Sequence, residues 1–199
     1  MIEGATVVTV LRHGAVEGRP HVYRGALDDA LSQHGVEQMQ AATSRLATPP
    51  FDAIASSPSR RCQDFARAYA DETGIPLAVF DAFREMAFGD WEGMTPEEAA
   101  QSDPELHRLF RASAGSIAPP GGERVMPFQA RVATGWQSWL AGSAGGHRLL
   151  VTHAGVMRVL LMTLLGLPHS HVYRIALPEV ASFRVSILAG EAPVLLSLN

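Results

Sequence analysis

The chain of 199 residues contains no lysine, so its 16 fixed cations are all arginines. Each is a planar guanidinium, suited to gripping an oxyanion through two parallel N–H groups. Cysteine is nearly absent as well: Cys62 stands alone, which excludes an internal disulfide framework and a multi-cysteine zinc site. There is no basic excess. The net charge is −4, without the basic stripe that nucleic-acid binding needs. The longest apolar stretch, 156–167, is interrupted by Arg158 and falls short of the roughly 20 residues that span a bilayer. The opening MIEGATVV has an early Glu and no basic segment before an apolar core. It predicts no signal peptide and a cytoplasmic location. P-loop and HExxH patterns are missing too.

The apolar fraction of 47% is that of a folded protein, and the length suits one domain of roughly 100–200 residues. Residues 6–11 (TVVTVL) are almost all β-branched or aliphatic, as in a strand buried inside a parallel sheet. Further strands are expected at 51–56, 76–80, 147–152, 181–188 and 193–198. Helices are expected from an N-cap at Ser32 to Leu46, from Ser57-Pro58 to near Gly74, over 123–140 and over 156–165. Residues 95–114 predict two short helices broken at Asp103-Pro104. The Pro- and Gly-rich 116–122 comes next, so 95–122 reads as an insert able to act as a lid. Strands alternating with helices, with no repeat or composition shift, predict a single α/β domain over 1–199 with a mainly parallel sheet.

Four short segments carry chemistry, each just past an expected strand: LRHG (11–14), SSPSRR (56–61), REMAFGDWEG (84–93) and VTHAG (151–155). In open α/β sheets the carboxyl ends of strands are where ligands bind. Two His and two Arg there make a pocket for a phosphate. Neutral imidazole can attack phosphorus, arginines can hold the equatorial oxygens, and a carboxylic acid can protonate the leaving alkoxide. Glu85, flanked by Met86 and Phe88, suits that acid role better than Asp90 or Glu92. Gly14 is expected to let the backbone approach the ligand. The start of the second helix is expected to favour an anion. One of Arg60 and Arg61 should face the site and the other the outer helix face. His107, His147, His169 and His171 are expected at the surface, with His169-Ser170-His171 only a weak metal pattern. Trp136, Trp139 and Cys62 are expected in the core.

As an ordered set, LRHG, SSPSRRC, REMAFGDWEG and VTHAGV resemble the hallmarks of the histidine phosphatase superfamily, the phosphoglycerate mutase-like proteins. ALSQHG at 30–35 is similar to that family's entry into its first helix. The resemblance implies a three-layer α/β/α sandwich of phosphoglycerate mutase-like fold, with no metal and no organic cofactor. It implies His13 as the phosphorylated nucleophile and Glu85 as proton donor, with Arg12, Arg61 and His153 as the phosphate pocket. Gly14, Arg19, Arg24 and Ala154 are the expected substrate contacts. Arg19 stands where the family usually has an Asn, so Arg19 or Arg24 is expected to supply the missing donor. EMAFGDWEG, the GGE at 121–123 with the following FQARV, and HAGVMRVLL are most similar to the α-ribazole phosphatase branch. That branch implies a phosphomonoesterase acting on α-ribazole 5′-phosphate in cobalamin nucleotide-loop assembly. The expected partner is a small phosphorylated metabolite, with no nucleic acid and no membrane, and a homodimer is compatible. The alternatives are a broad-specificity phosphatase, a phosphoglycerate mutase, a non-catalytic phospho-ligand binding protein on this fold, and a metal-dependent hydrolase using His13, His153 and a carboxylate.

Overall fold

Strand β1 (Thr6–Arg12) is buried on both faces, as its aliphatic run predicts. The chain continues through α1 (Gln33–Leu46), β2 (Ala53–Ser56), α2 (Arg60–Thr73) and β3 (Leu77–Val79). Helices α3 (Pro96–Ser102), α4 (Pro104–Ala112) and α5 (Val125–Leu140) precede β4 (His147–Thr152), α6 (Ala154–Leu165), β5 (Ser182–Ile187) and β6 (Val194–Leu198). These elements come from a computed structural model that describes residues 4–113, 116–141 and 145–199, without the side chains of 169, 170 and 172. The first three residues of the signal-peptide reading therefore lie outside the described residues. So do two residues of the 95–122 insert, most of the expected glycine turn before β4, and two side chains of the His169-Ser170-His171 pattern.

The six strands lie in the order β3-β2-β4-β1-β5-β6. The first four are parallel; β5 runs antiparallel to β1, and the edge strand β6 runs antiparallel to β5. Alternation along the strands builds the layers. Leu11, Ile54, Leu149 and Val151 pack with Met39 of α1 and Phe65 of α2 on one face. Val8, Val10, Leu150 and Phe183 pack with Phe128 and Val132 of α5 and Leu160 of α6 on the other. The result is the α/β/α sandwich that the family resemblance implies.

Local chemistry sets most boundaries. Ser32 accepts from Gly35 N–H at 3.1 Å and caps α1. Thr95 and Glu98 form a reciprocal capping box at α3, and Pro96 and Pro104 occupy first-turn positions of α3 and α4. Helix α2 begins at Arg60, two residues after the expected Pro58. Ser59 serves as its extended N-cap, leaving Ser57 in a loop where its hydroxyl accepts from Ser59 N–H at 3.3 Å. Helix α6 starts earlier than expected, at Ala154, directly behind β4. His147, expected at the surface, is 2% exposed. Its ring bridges Thr9 Oγ1 (2.8 Å) and the Pro49 carbonyl (2.7 Å), which satisfies both nitrogens inside the fold. Trp136, Trp139 and Cys62 are buried as expected. Among the described residues, no helix is long and apolar enough to cross a membrane.

Candidate active site

Register brings the two motif histidines together. In the parallel β1–β4 pair, Leu11 lies opposite Val151 and Arg12 opposite Thr152. The next residues, His13 and His153, therefore meet edge to face with ring centroids 5.3 Å apart. His13 N–H donates to the Thr152 carbonyl at 2.9 Å, and Ser57 N–H, just past β2, donates to Val151 at 3.0 Å. Three strand ends thus converge on one spot.

The two rings are held differently. His13 Nδ1 lies 2.8 Å from the Gly14 carbonyl. That oxygen can only accept, so Nδ1 carries the proton and Nε2 keeps its lone pair. Burial, then the charge of Arg12, lowers the His13 pKa to about 3, so the ring is neutral at physiological pH. His153 is fully buried with both nitrogens engaged. Arg61 Nε–H donates to Nδ1 at 3.3 Å, and Nε2–H donates to Ser57 Oγ at 2.8 Å. Burial, reinforced by Arg61, holds its pKa well below 6.5. The Cys62 thiol packs 3.7 Å from the same ring, and burial pushes its pKa up to about 12.

Of the paired arginines, Arg61 is 1% exposed and faces the site, while Arg60 points outward to Asp64 at 3.6 Å. Arg61 also donates to the carbonyls of Gly25 (3.0 Å) and Leu27, fastening α2 to the loop that comes after β1. Arg12 donates to the Leu177 carbonyl at 2.7 Å, and its buried Nε has no partner. Arg24 is oriented by Asp29 at 2.6 Å. Together with His13 and Glu85, these three arginines line a cavity of about 240 Å³. Glu85 is held by two backbone donors: Met86 N–H reaches one carboxylate oxygen at 2.9 Å and Gly155 N–H the other at 3.0 Å.

Four expectations change. Gly14 does not open the backbone to a ligand; a Cβ there would sit 2.6 Å from the Gly35 carbonyl, so its smallness lets α1 pack close. Arg19 is turned away and held by Glu98, both guanidinium nitrogens at 2.7 Å, because the α3 capping carboxylate is the nearer anion. Arg24 is the one that reaches the cavity. Ala154 packs against the core, while the N–H of the neighbouring Gly155 holds the Glu85 carboxylate. A Cβ on Gly155 would collide with the Glu85 carboxylate. Finally, the N-terminus of α2 is already served by this chain's own anion, since Arg60 N–H donates to Asp28 at 2.8 Å.

Sequence reasoning missed several residues. Arg111 of α4, Arg158 of α6 and Tyr173 also line the cavity. Arg131 forms a bidentate pair with Glu123, both contacts 2.8 Å, and donates to the carbonyls of Ala82, Arg84 and Glu85. It braces the loop that carries Glu85. The GGE…FQARV spacing contained that pair, though spacing alone did not show what it clamps.

Sheet order, layers and paired strand-end histidines define an α/β protein of the phosphoglycerate mutase-like fold. The chain belongs to the histidine phosphatase superfamily (branch 1), which matches residues 8–199. A glucosyl-3-phosphoglycerate phosphatase of Mycolicibacterium vanbaalenii is 37% identical over 171 residues, covering 81% of this chain and 75% of that protein. The adenosylcobalamin/alpha-ribazole phosphatase of Salmonella typhimurium is 26% identical over 184 residues, covering 92% and 91%. The native structure of a mycobacterial glucosyl-3-phosphoglycerate phosphatase superposes with a TM-score of 0.85 at 27% identity, covering 98% and 99%. A bifunctional protein of Mycobacterium tuberculosis is 35% identical over 91% of this chain, which spans about half of that relative's length.

Proposed function

We propose that this chain hydrolyses a phosphomonoester of a small metabolite through a phosphohistidine on His13. The observation that carries the reading is the His13 ring, neutral and with its Nδ1 proton spent on Gly14, so that Nε2 offers a lone pair among Arg12, Arg24 and Arg61. Nε2 attacks phosphorus and the bond to the alcohol oxygen breaks. The three arginines balance the charge on the equatorial oxygens. Glu85, in its acid form, gives the leaving oxygen its proton; a phosphate monoester whose second pKa is about 6 can bring that proton in as the monoanion. Water then attacks the phosphohistidine, Glu85 takes the water's proton, and the P–N bond breaks to release phosphate and restore His13. His153 acts through Arg61, as a positioning residue.

Two esters are the first to try. The sequence motifs favour α-ribazole 5′-phosphate, and the M. vanbaalenii relative favours glucosyl-3-phosphoglycerate. The test of the chemistry is rapid-quench trapping with labelled substrate in the presence of a chelator. The expected result is an acid-labile, base-stable phosphoryl group on His13. Turnover without any such species, or turnover abolished by the chelator, overturns the reading.

A further inference from the structure

The turn over residues 177–181, which leads into β5, grips the catalytic end of β1 and the loop after it. Arg12 N–H donates to the Ala181 carbonyl at 2.9 Å, and Arg12 Nη1–H donates to the Leu177 carbonyl at 2.7 Å. Val180 N–H reaches the His13 carbonyl at 3.4 Å. A further link is indirect: Gln38 accepts from Ala15 N–H at 2.8 Å and donates to the Glu179 carboxylate at 3.4 Å. Arg12 and Leu177 are 165 positions apart, so no local preference of either segment produces this grip.

The turn is kept in a conformation that its sequence resists. Ala181 N–H donates to the Pro178 carbonyl at 3.0 Å, and inside the turn Val180 has a φ of +50°. For a β-branched residue the left-handed region is unfavourable and persists only where the surroundings enforce it. Hydrogen bonding enforces it here, and so does the Val180 side chain, which packs on the core cluster that includes Leu11 and Met39. Glycine would adopt this φ freely, but without that anchor. What the strained turn places is the Arg12 guanidinium. Nη1 is committed to Leu177, which leaves the buried and unpartnered Nε–H for an oxygen of the phosphoryl group. Burial disfavours the Arg12 cation, and the charges of Glu85 and then Glu179 favour it.

We propose that the turn 177–181 is a clamp that positions Arg12 for the transition state of phosphoryl transfer. Val180 is the positioning residue that locks the clamp, and Glu179 ties it through Gln38 to the loop that begins at Ala15. Neither residue touches phosphorus. The proposal rests on the phosphatase reading above and adds to it the part of the fold that holds the phosphate arginine in register.

The test is calorimetric binding of two anions: inorganic phosphate, the tetrahedral product, and vanadate, which takes the five-coordinate geometry of phosphoryl transfer. The wild type is expected to bind vanadate more tightly than phosphate. Val180→Gly should lose at least about tenfold in vanadate affinity and less than about threefold in phosphate affinity, the scale of a small misplacement of one group. Its kcat for p-nitrophenyl phosphate should fall with vanadate affinity while KM hardly moves. Its midpoint of denaturation should change little, because relief of the strain offsets the lost packing. Val180→Ile, which keeps the branched anchor, should recover most of the vanadate affinity that glycine loses. Glu179→Ala, at an exposed position, should show the same split on a smaller scale, and Glu179→Gln, which can still accept from Gln38, should restore part of it. The Glu179 pair carries the test if Val180→Gly does not fold. Equal loss of both anions, or vanadate affinity retained in Val180→Gly and Glu179→Ala alike, overturns the clamp alone. A wild type without preference for vanadate overturns the phosphatase reading, and the clamp with it.

Discussion

The ends of β1 and β4 look alike in sequence, Leu-Arg-His-Gly against Val-Thr-His-Ala-Gly, yet the structure uses them differently. After β1 the chain turns into an irregular loop, and His13 is left with one nitrogen bonded and one available. After β4 it enters α6 at once, and His153, as the N-cap residue, is enclosed with both nitrogens occupied. The glycines diverge in the same way. Gly14 lets a helix pack close, whereas Gly155 leaves room for a carboxylate. A motif therefore specifies where a ring sits; the loop or helix directly after it decides whether the ring reacts or supports.

The largest expected effect separates the two histidines. His13→Ala should remove phosphate release and phosphoenzyme together. His153→Gln should lower kcat by roughly 10²–10³-fold, the scale of losing one preorganised donor, here by releasing Arg61, while labelled phosphate still appears on His13. Label appearing on His153 in the wild type would reverse the assignment.

The glycines give the next contrast. Gly155→Ala displaces the Glu85 carboxylate, so kcat for alkyl phosphates should fall at least about tenfold more than for p-nitrophenyl phosphate, whose leaving group hardly needs a proton. Gly14→Ala instead forces α1 away from β1. It should lower unfolding free energy by about 1–3 kcal/mol, read from denaturant titration, the usual scale for overpacking. Equal leaving-group dependence in both variants would erase the distinction.

The smallest effect is on pH. His13 has a folded pKa of about 3 against 6.5 for an unperturbed ring, and that of His153 is also well below 6.5. Between those values the unfolded chain binds more protons than the folded one, so stability is full above pH 6.5 and declines as pH falls toward 3. Each ring contributes up to about 1.4 kcal/mol per pH unit in that window. Denaturation of wild type and His13→Ala at pH 7, 6 and 5 should show a shallower decline in the variant. Parallel lines would mean that His13 is not neutral in the fold.

What the sequence made legible was what local chemistry controls. The buried strand, the Ser32 cap, the helix break at Asp103-Pro104 and the α/β alternation come from patterns that neighbours reinforce. Helical geometry required Arg60 and Arg61 to face different ways, and only the resemblance to the family motif picked Arg61 as the inward one. Arg19 and Arg24 were not separable, since the deciding partners, Glu98 and Asp29, meet them through loop geometry rather than periodicity. The Gly155 contact with Glu85 was not legible either, because it joins residues 70 positions apart. Arg158 did carry a signal. A lone cation inside an apolar run read as a reason against a membrane span, when it also marks a charge that the fold must face toward something polar.

The strand order has a consequence for how this molecule comes into being. Strand β4 occupies the slot between β1 and β2, although it comes after β2 by some ninety residues, and a Thr9–His147 side-chain hydrogen bond joins β1 to it across 138 positions. Such distant pairings close late, after the local hairpins of loop and helix have formed. A chain emerging from synthesis has His13 and Arg61 long before it has the strand that sets them at working distance. Catalytic competence thus waits for β4, and a newly made molecule cannot turn over before that strand is inserted.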